Sequence, residues 1–219
     1  MTARPAAGGG RWLEVSPARL EGWLEDFDRR HAVLRSRYSR AAARFEAADG
    51  AVAECGPPFP PMAEAPDADG LEAGPLLAHA RRARRVGVIL ARLGGHAVGV
   101  FDGDLLVASK VGSRPVHGRH AAGGWSQQRF ARRREAQGRK AAAAAAADAA
   151  RILLPELGAL DAVVLGGDRG AVDALRTDRR LSPLFAAATD RFLAVPDPRL
   201  AVLRRTPALF SAVRVRLLP

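Results

Sequence analysis

The chain has 219 residues, 48% of them hydrophobic, which is enough for one well-packed domain with or without a small appendage. Its formal net charge of +11 predicts a polyanionic partner, with nucleic acid favoured over an anionic membrane surface. The single cysteine excludes a disulfide framework and a CxxC zinc site, and no apolar stretch approaches the ~18 residues that span a bilayer. The N-terminal residues lack the apolar run of a secretion signal, so we expect a cytoplasmic protein.

The first 80 residues are predicted to form a tail, a helix and a linker. Residues 1–15 are rich in Gly, Ala and Pro and are expected to be flexible. Residues 16–48 have the pattern of a long amphipathic helix that begins at an N-cap, Ser16, with Pro17 at its first helical position. The predicted buried stripe of this helix consists of Leu20, Trp23, Leu24, Phe27, His31, Leu34 and Tyr38. Residues 49–80 are predicted to be a Pro-rich, acidic linker or surface loop.

A mixed α/β domain is predicted over residues 81–219. Three β-rich runs, at about 85–93, 96–101 and 104–111, are separated by Gly-Gly and Asp-Gly, dipeptides that permit the positive φ of tight hairpins. An antiparallel three-stranded meander is the simplest interpretation. A long Ala-rich helix follows, and then short apolar strands alternate with helices. The first of these strands is "DAVVLGG", and the stretch 170–188 after it is predicted to be one helix. This combination predicts a mixed β-sheet with helices packed on its faces, preceded by an N-terminal helical extension.

Residues 121–140, "AAGGWSQQRFARRREAQGRK", join a glycine tip to a cationic helix. We expect the segment 112–125 to project as a mobile loop before this helix. Gly123 and Gly124 permit backbone angles that are closed to other residues, and Ser126 is a candidate N-cap for the helix that follows. The alanines at 141–147 favour a long helix, which we expect to span roughly 39 Å at about 1.5 Å per residue. The cationic side chains along its first half are Arg129, Arg132, Arg133, Arg134, Arg139 and Lys140.

Two interpretations of this basic helix remain open. It is either a solvated charged surface that follows a Gly-rich connection, or the contact surface for a polyanion. Cations at i, i+3 and i+4 repel one another, which slightly destabilises the helix. A polyanion bound along the helix would replace this repulsion with attraction and stabilise it. Glutamine can orient a water molecule or an oxyanion, but it cannot act as a general base. A catalytic glutamine in this tip would therefore suit an activated bond, such as the aminoacyl ester of peptidyl-tRNA.

The segment "GGWSQQRFARRRE" resembles the "GGQSALRFARLR" segment in the central domain of the eukaryotic-type translation termination factor. Aligned in register, the identical residues are Gly123, Gly124, Ser126, Arg129, Phe130, Ala131, Arg132 and Arg134. The glutamine of that family falls on Trp125, whereas a glutamine appears two places later, at Gln127. Residues 124–127 fit the form G-x-[SA]-Q, and the tip thereby resembles that of eukaryotic members of the Vms-like release factor (VLRF) family. The whole segment is similar to the actinobacterial branch of this family.

This resemblance implies a peptidyl-tRNA hydrolase of ribosome-associated quality control, which frees nascent chains from tRNA on obstructed large ribosomal subunits. It implies a release-factor central domain of ribonuclease-H-like topology over residues 81–219. The candidate catalytic residues are Gln127, Gly123, Gly124, Ser126 and Gln128. The candidate RNA-binding residues are Arg119, Trp125, Arg129, Arg132, Arg133, Arg134, Arg139 and Lys140. The expected partners of a monomeric chain are the large ribosomal subunit, peptidyl-tRNA and ribosomal RNA, with no cofactor, metal or membrane.

Two other functions for the same tip stay open. It could cut the tRNA strand near its 3′ end, with a 2′-hydroxyl group as the nucleophile, or it could be a wedge in a non-enzymatic factor that binds ribosomes or RNA. The sequence also leaves open whether Gln127 or Gln128 is the catalytic glutamine, because only the register of the tip favours Gln127.

Three further patterns have simpler explanations than a catalytic site. Asp102 and Asp104 have the residue type of a two-metal nuclease, but the hairpin explains them as turn residues. His117 and His120 have a loose metal-ligand spacing without an obvious third ligand, so we interpret them as RNA contacts or loop residues. The stretch "VVLGGDRGAV" lacks the G-x-G-x-x-G pattern and is interpreted as a tight strand-to-helix connection.

Overall fold

A computed structural model of the chain describes residues 4–5, 9–113 and 126–219, and it describes their side chains except those of residues 126–134. Within this described part, every helix is too short or too polar to cross a bilayer. The predicted projecting loop at 112–125 lies outside the described residues beyond Ser113.

The secondary structure alternates between strands and helices along the whole chain. The strands are β1 (Arg4–Pro5), β2 (Arg11–Val15), β3 (Val33–Tyr38), β4 (Ala43–Ala47), β5 (Val52–Gly56), β6 (Ala68–Asp69), β7 (Arg85–Arg92), β8 (Gly95–Asp102), β9 (Leu105–Ser113), β10 (Ala162–Gly167), β11 (Ala188–Leu193) and β12 (Val213–Leu218). The helices are α1 (Pro17–His31), α2 (Gly74–Arg81), α3 (Ser126–Leu153), α4 (Arg169–Leu175), α5 (Ser182–Ala186), α6 (Leu200–Leu203) and α7 (Thr206–Phe210). Short 3₁₀ helices lie at Leu154–Ala159 and Arg179–Leu181.

The chain divides into two compact units. The first unit comprises Met1–Arg82 and Ala208–Pro219, and the second comprises Ala83–Pro207. In the described residues of the first unit, seven strands form an antiparallel sheet in the order β1-β2-β12-β5-β4-β3-β6. Its core contains the predicted α1 residues Leu20, Leu24 and Phe27, which are fully or almost fully buried.

The helix predicted over residues 16–48 is shorter in the structure, because α1 ends at His31. Ala32 adopts a left-handed conformation (φ 53°), and its N–H donates to the carbonyl of Asp28 at 2.7 Å, which terminates the helix. Leu34, which a continued helical stripe would bury, is 61% exposed on β3. Beyond α1 the chain buries side chains by pairing strands, and this tertiary context overrides a favourable helical pattern.

The predictions of a flexible tail over 1–15 and of a linker over 49–80 are wrong where the structure forms strands and a helix. The tail ends in β2, whose Val15 is buried, and residues 49–80 contain β5, β6 and α2. Cys55 and Leu76 from this predicted linker are fully buried. These strands are only two to five residues long. Their alternation of apolar and polar residues is therefore too short to stand out among the neighbouring prolines and acidic residues.

The second unit is built on a mixed sheet, whose five strands among the described residues have the order β11-β10-β7-β8-β9. Strands β7, β8 and β9 form the predicted antiparallel meander, with Gly94 (φ 87°) and Gly103 (φ 57°) in its two tight turns. Strand β10 pairs parallel to β7, and β11 pairs parallel to β10. The predicted mixed α/β fold is therefore confirmed.

The C-terminal part of the chain differs from the prediction in two respects. The stretch 170–188, predicted as one helix, contains α4, a 3₁₀ turn and α5, because Asp178 accepts the backbone N–H of Arg180 and Pro183 begins a new helix. The last strand, β12, pairs with β2 and β5 of the first sheet, although the predicted domain extends from residue 81 to residue 219. The sequence of a strand does not show which distant strands it will pair with, so this arrangement could not be predicted locally.

Candidate functional site

Helix α3 is the long helix that the sequence predicts. Its 28 residues span about 42 Å at about 1.5 Å per residue. The C-terminal half packs on the sheet of the second unit through small side chains on one face, as expected of an amphipathic helix. The buried residues of this face are Ala145, Ala146, Ala149, Ala150 and Leu153. The helix is therefore fixed in the core at its C-terminal end.

A buried histidine–aspartate pair fixes α3 to the meander. His96 on β8 is only 6% exposed, and its Nε2 lies 2.9 Å from Oδ2 of Asp148 on α3. Arg151, one turn further along α3, donates to the other Asp148 oxygen at 3.1 Å. A Cβ atom on Gly112 of β9 would lie 2.3 Å from the His96 ring, so the neighbouring strand leaves room for glycine alone. The imidazole is thus enclosed by three elements of the second unit.

The Asp148 carboxyl group is ionised in this arrangement. Burial acts to raise its pKa, but the hydrogen bonds from His96 and Arg151 outweigh burial and hold the pKa below its ordinary value. An ionised carboxylate is only an acceptor, so the Nε2 atom of His96 carries the donated proton. This charge-assisted hydrogen bond joins the middle of the sheet to the base of α3.

We expect Asp148→Asn to lower the free energy of unfolding by about 1–2 kcal/mol at pH 7, because it removes a charge-assisted hydrogen bond from a largely buried site. Since the folded-state pKa of Asp148 is depressed, its contribution is present above the unfolded-state pKa of about 3.9 and is lost as the pH falls through the lower folded value. The difference between wild type and variant should therefore persist at pH 5 and shrink below about pH 4. Denaturant unfolding at several pH values measures both effects.

The matched control for this experiment is Asp173→Asn. Asp173 is also an aspartate on a helix of the second unit with an arginine partner three residues later, but its side chain is 65% exposed. Exposed ion pairs contribute little, so this variant should unfold within about 0.5 kcal/mol of wild type. Equal stability of wild type and Asp148→Asn at pH 7 would contradict the assigned role of the buried pair.

The predicted catalytic tip lies only partly within the described residues. Ser126 is the first residue of α3, and Gln127 and Gln128 are the second and third. The helix backbone also includes Arg129, Arg132, Arg133 and Arg134, but the side chains of residues 126–134 lie outside the described part. The candidates that lie wholly outside the described residues are Arg119, Gly123, Gly124 and Trp125, together with His117 and His120.

Arg139 and Lys140 are the two predicted RNA-binding residues whose side chains are described, and both are exposed. The Nη1 atom of Arg139 lies 2.5 Å from Oε1 of Glu135, one turn earlier on α3, with both side chains about two-thirds exposed. An ion pair this exposed is weak and can exchange its partner for another anion. The middle of α3 therefore presents accessible cationic side chains.

The alternative pair Asp102 and Asp104 does not form a metal site in the described structure. The Asp102 side chain is 61% exposed and lies 3.8 Å from the Arg85 guanidinium, while Asp104 occupies the β8–β9 turn. Among the described residues, no group of three or more His, Cys, Asp or Glu could hold a metal ion.

The Gly-rich stretch after β10 forms the expected tight connection. Gly167 has φ 104°, and a Cβ atom there would lie 2.1 Å from the Ala91 carbonyl oxygen. Asp168 caps α4 by accepting the Ala171 N–H at 2.9 Å. The glycines serve strand-to-helix packing, as predicted.

The pair His96–Asp148 was not found from the sequence. A weak signal exists, because Asp148 is the one acidic residue within the Ala-rich part of α3, at 141–150. Fifty-two positions separate the two residues, so their contact depends on how α3 packs across the meander.

The sequence pattern of one protein family, the Actinobacteria/chloroflexi VLRF1 release factor, matches residues 84–216. The chain belongs to this family. The resemblance inferred from the tip sequence is thereby confirmed, and the match spans more than half of the chain. This is a family of release factors.

Several solved structures are similar to the VLRF1 chain at low sequence identity. The archaeal translation termination factor aRF1 is 16% identical with a TM-score of 0.43, and the match covers 76% of this chain and 51% of that one. Dom34 of S. cerevisiae, a translation termination-like factor involved in RNA quality control pathways and interacting with Hbs1, is 8% identical with a TM-score of 0.35. That match covers 94% of this chain and 66% of Dom34.

Pelota of Archaeoglobus fulgidus is also 8% identical, with a TM-score of 0.30, over 96% of this chain and 66% of Pelota. The VLRF1 chain spans about half the length of the archaeal termination factor that it matches. No curated protein matches the sequence.

Proposed function

We propose that this factor frees nascent peptides from tRNA on obstructed large ribosomal subunits by hydrolysing the peptidyl-tRNA ester. The observation that carries the proposal is the position of Gln127 as the second residue of α3, a helix whose other end is buried in the core of the second unit. A reacting group at the N-terminal end of a helix of about 42 Å can enter a site too narrow for the whole domain.

Gln127 is the proposed catalytic residue. Its amide offers two donors and one acceptor but has no titratable group, so it orients the attacking water or stabilises negative charge on the ester carbonyl oxygen. The aminoacyl ester is already activated, and orientation can therefore supply most of the rate enhancement. Gln128 is the adjacent alternative. Gly123, Gly124 and Ser126 are proposed to set the backbone conformation of the tip.

The basic side chains of the tip and of α3 are proposed to bind ribosomal RNA and tRNA. Arg139 and Lys140 support this role, because they are exposed on α3 beyond the proposed catalytic residues. The guanidinium fork matches two phosphate oxygens, which makes arginine the favoured residue for such contacts. The other proposed contacts are Arg119, Trp125, Arg129, Arg132, Arg133 and Arg134.

We also propose that the factor acts as a monomer in the cytoplasm, where translation takes place. Its proposed partners are the large ribosomal subunit, peptidyl-tRNA and ribosomal RNA. The proposed reaction uses water as the nucleophile and requires no cofactor.

Product analysis on a stalled large subunit tests this proposal. The tRNA is labelled at its 5′ end and the nascent peptide at its N-terminus, and the purified factor is added. We expect free peptide together with full-length tRNA that can be aminoacylated again, because ester hydrolysis leaves the 3′ end intact. A shortened tRNA would instead show strand cleavage. Binding of the factor without release of peptide would show a non-enzymatic factor.

A further inference from the structure

A polar pocket lies in the second unit, between α4, α5 and β11. We call it the α4–β11 pocket, and its volume is about 360 Å³. The charged and hydroxyl side chains that line it are those of Arg169, Arg176, Asp173, Thr189 and Asp190. None of these residues belongs to the tip or to the basic part of α3, and the proposed hydrolysis does not use them.

Two arginines in this pocket each lie over a phenylalanine ring. The guanidinium carbon of Arg169 lies 4.5 Å from the ring centroid of Phe192, and that of Arg176 lies 4.3 Å from the ring centroid of Phe185. Each ring attracts the guanidinium group above it through a cation–π contact. A guanidinium plane held in this way is a surface on which an unpaired nucleobase can stack.

The wall of the pocket also contains a hydroxyl group without a partner among the described residues. The Oγ1 atom of Thr189 on β11 is buried and makes no hydrogen bond to any described residue. Buried polar atoms are almost always paired, so an unpaired one on a residue that lines a pocket indicates that a ligand or a water molecule supplies the missing partner. A hydroxyl group can both donate and accept, which suits the edge of a nucleobase.

The charges of the pocket favour a base over a phosphate group. Its two arginines are balanced by two carboxylates, Asp173 and Asp190, and Asp173 lies 3.2 Å from the Arg176 guanidinium. A carboxylate repels phosphate but accepts hydrogen bonds from an exocyclic amino group, as acidic side chains do with cytosine. Adenine, cytosine and guanine carry such a group, whereas uracil does not.

We infer that the α4–β11 pocket binds one unpaired RNA base that carries an exocyclic amino group. The base stacks on a guanidinium plane, its amino group donates to a carboxylate, and the Thr189 hydroxyl group bonds its edge. This inference rests on the proposed function, because RNA is the partner in both. It adds a base-selective contact to the phosphate contacts of α3.

Four trinucleotides of equal charge test the inference on the full chain. UpApU, UpCpU and UpGpU differ from UpUpU only at the middle base, so phosphate contacts cancel in the comparison. We expect wild type to bind the first three roughly 10-fold more tightly than UpUpU, within the range of discrimination of one base contact. Isothermal titration calorimetry at constant salt concentration measures the four dissociation constants.

Two variants link this preference to the pocket. Arg169→Lys keeps the charge but removes the planar group, and Thr189→Val keeps the shape but removes the unpaired hydroxyl group. Both should reduce the preference to less than about 3-fold while wild-type thermal unfolding is retained. The control is Arg180→Lys, because Arg180 lies in the 3₁₀ turn after α4 and pairs with Asp178 at 2.6 Å. This control should keep the full preference.

Equal binding of the four trinucleotides by wild type would overturn the inference, as would an undiminished preference in both pocket variants. If wild type prefers UpApU, UpCpU and UpGpU over UpUpU and both pocket variants lose this preference, the pocket binds the base. This conclusion would stand even if Gln127→Ala released peptide normally. Absence of the preference beside normal peptide release would remove the pocket and leave the proposed function standing.

Discussion

Gln127→Ala should slow peptide release by roughly 10²- to 10³-fold, because loss of one oriented polar group at a reacting centre has an effect of that size. Binding to the large subunit and thermal unfolding should stay at wild-type values, since Gln127 lies in the first turn of α3, far from the buried end of the helix. The measurement is the rate of labelled peptide release from a stalled large subunit that carries peptidyl-tRNA, under single-turnover conditions.

The neighbouring residues provide the controls for Gln127. Gln128→Ala has the same chemistry one position along the helix and should retain most of the activity. Trp125→Ala, at the glutamine position of the termination factor, should weaken binding of the tip more than the chemical step. A wild-type rate from Gln127→Ala would refute the assignment. An inactive Gln128→Ala beside it would move the catalytic role by one residue.

Simultaneous replacement of four arginines by glutamine should remove most of the affinity for the large subunit. The four are Arg129, Arg132, Arg133 and Arg134. Each phosphate contact adds roughly 0.7–0.9 to the slope of log affinity against log salt concentration, so the slope should fall by about 3. The affinity should fall by about 10²- to 10³-fold at ~0.1 M salt. Sedimentation or fluorescence binding assays over a salt series measure both quantities.

A matched control separates local contact from general charge. Four exposed arginines of the first unit, Arg19, Arg29, Arg30 and Arg35, are replaced by glutamine in a second variant. This variant loses the same total charge, yet it should keep the wild-type salt slope. If both quadruple variants lost affinity equally, net charge rather than the α3 surface would be responsible for binding.

The sequence predicts those parts of the fold whose causes are local. Gly94 and Gly103 determine two tight turns because of their own backbone conformation, and the meander follows from them. The alanine run at 141–147 predicts α3 because of its high helix propensity. The tip motif likewise occupies consecutive residues, so the family was recognisable without any structure.

The parts that the sequence does not predict depend on contacts between distant residues. Strands β3 to β5 were hidden in a helical pattern and a Pro-rich stretch, and their pairing with one another stabilises them. The contacts His96–Asp148 and Arg169–Phe192 join residues on different elements, which no spacing rule brings together. Each of these contacts exists because a helix packs on a sheet in one register, and register is a tertiary property.

The position of β12 has a consequence for the order in which the chain folds during its own synthesis. Strand β12 lies between β2 and β5, and in the described sheet it is the strand that joins β1-β2 to β5-β4-β3-β6. Ribosomes make it after every residue of the second unit, which ends at Pro207. The second unit can therefore finish folding before the sheet of the first unit is complete. Until β12 is made, the strands β1-β2 and β5-β4-β3-β6 have no strand between them to pair with.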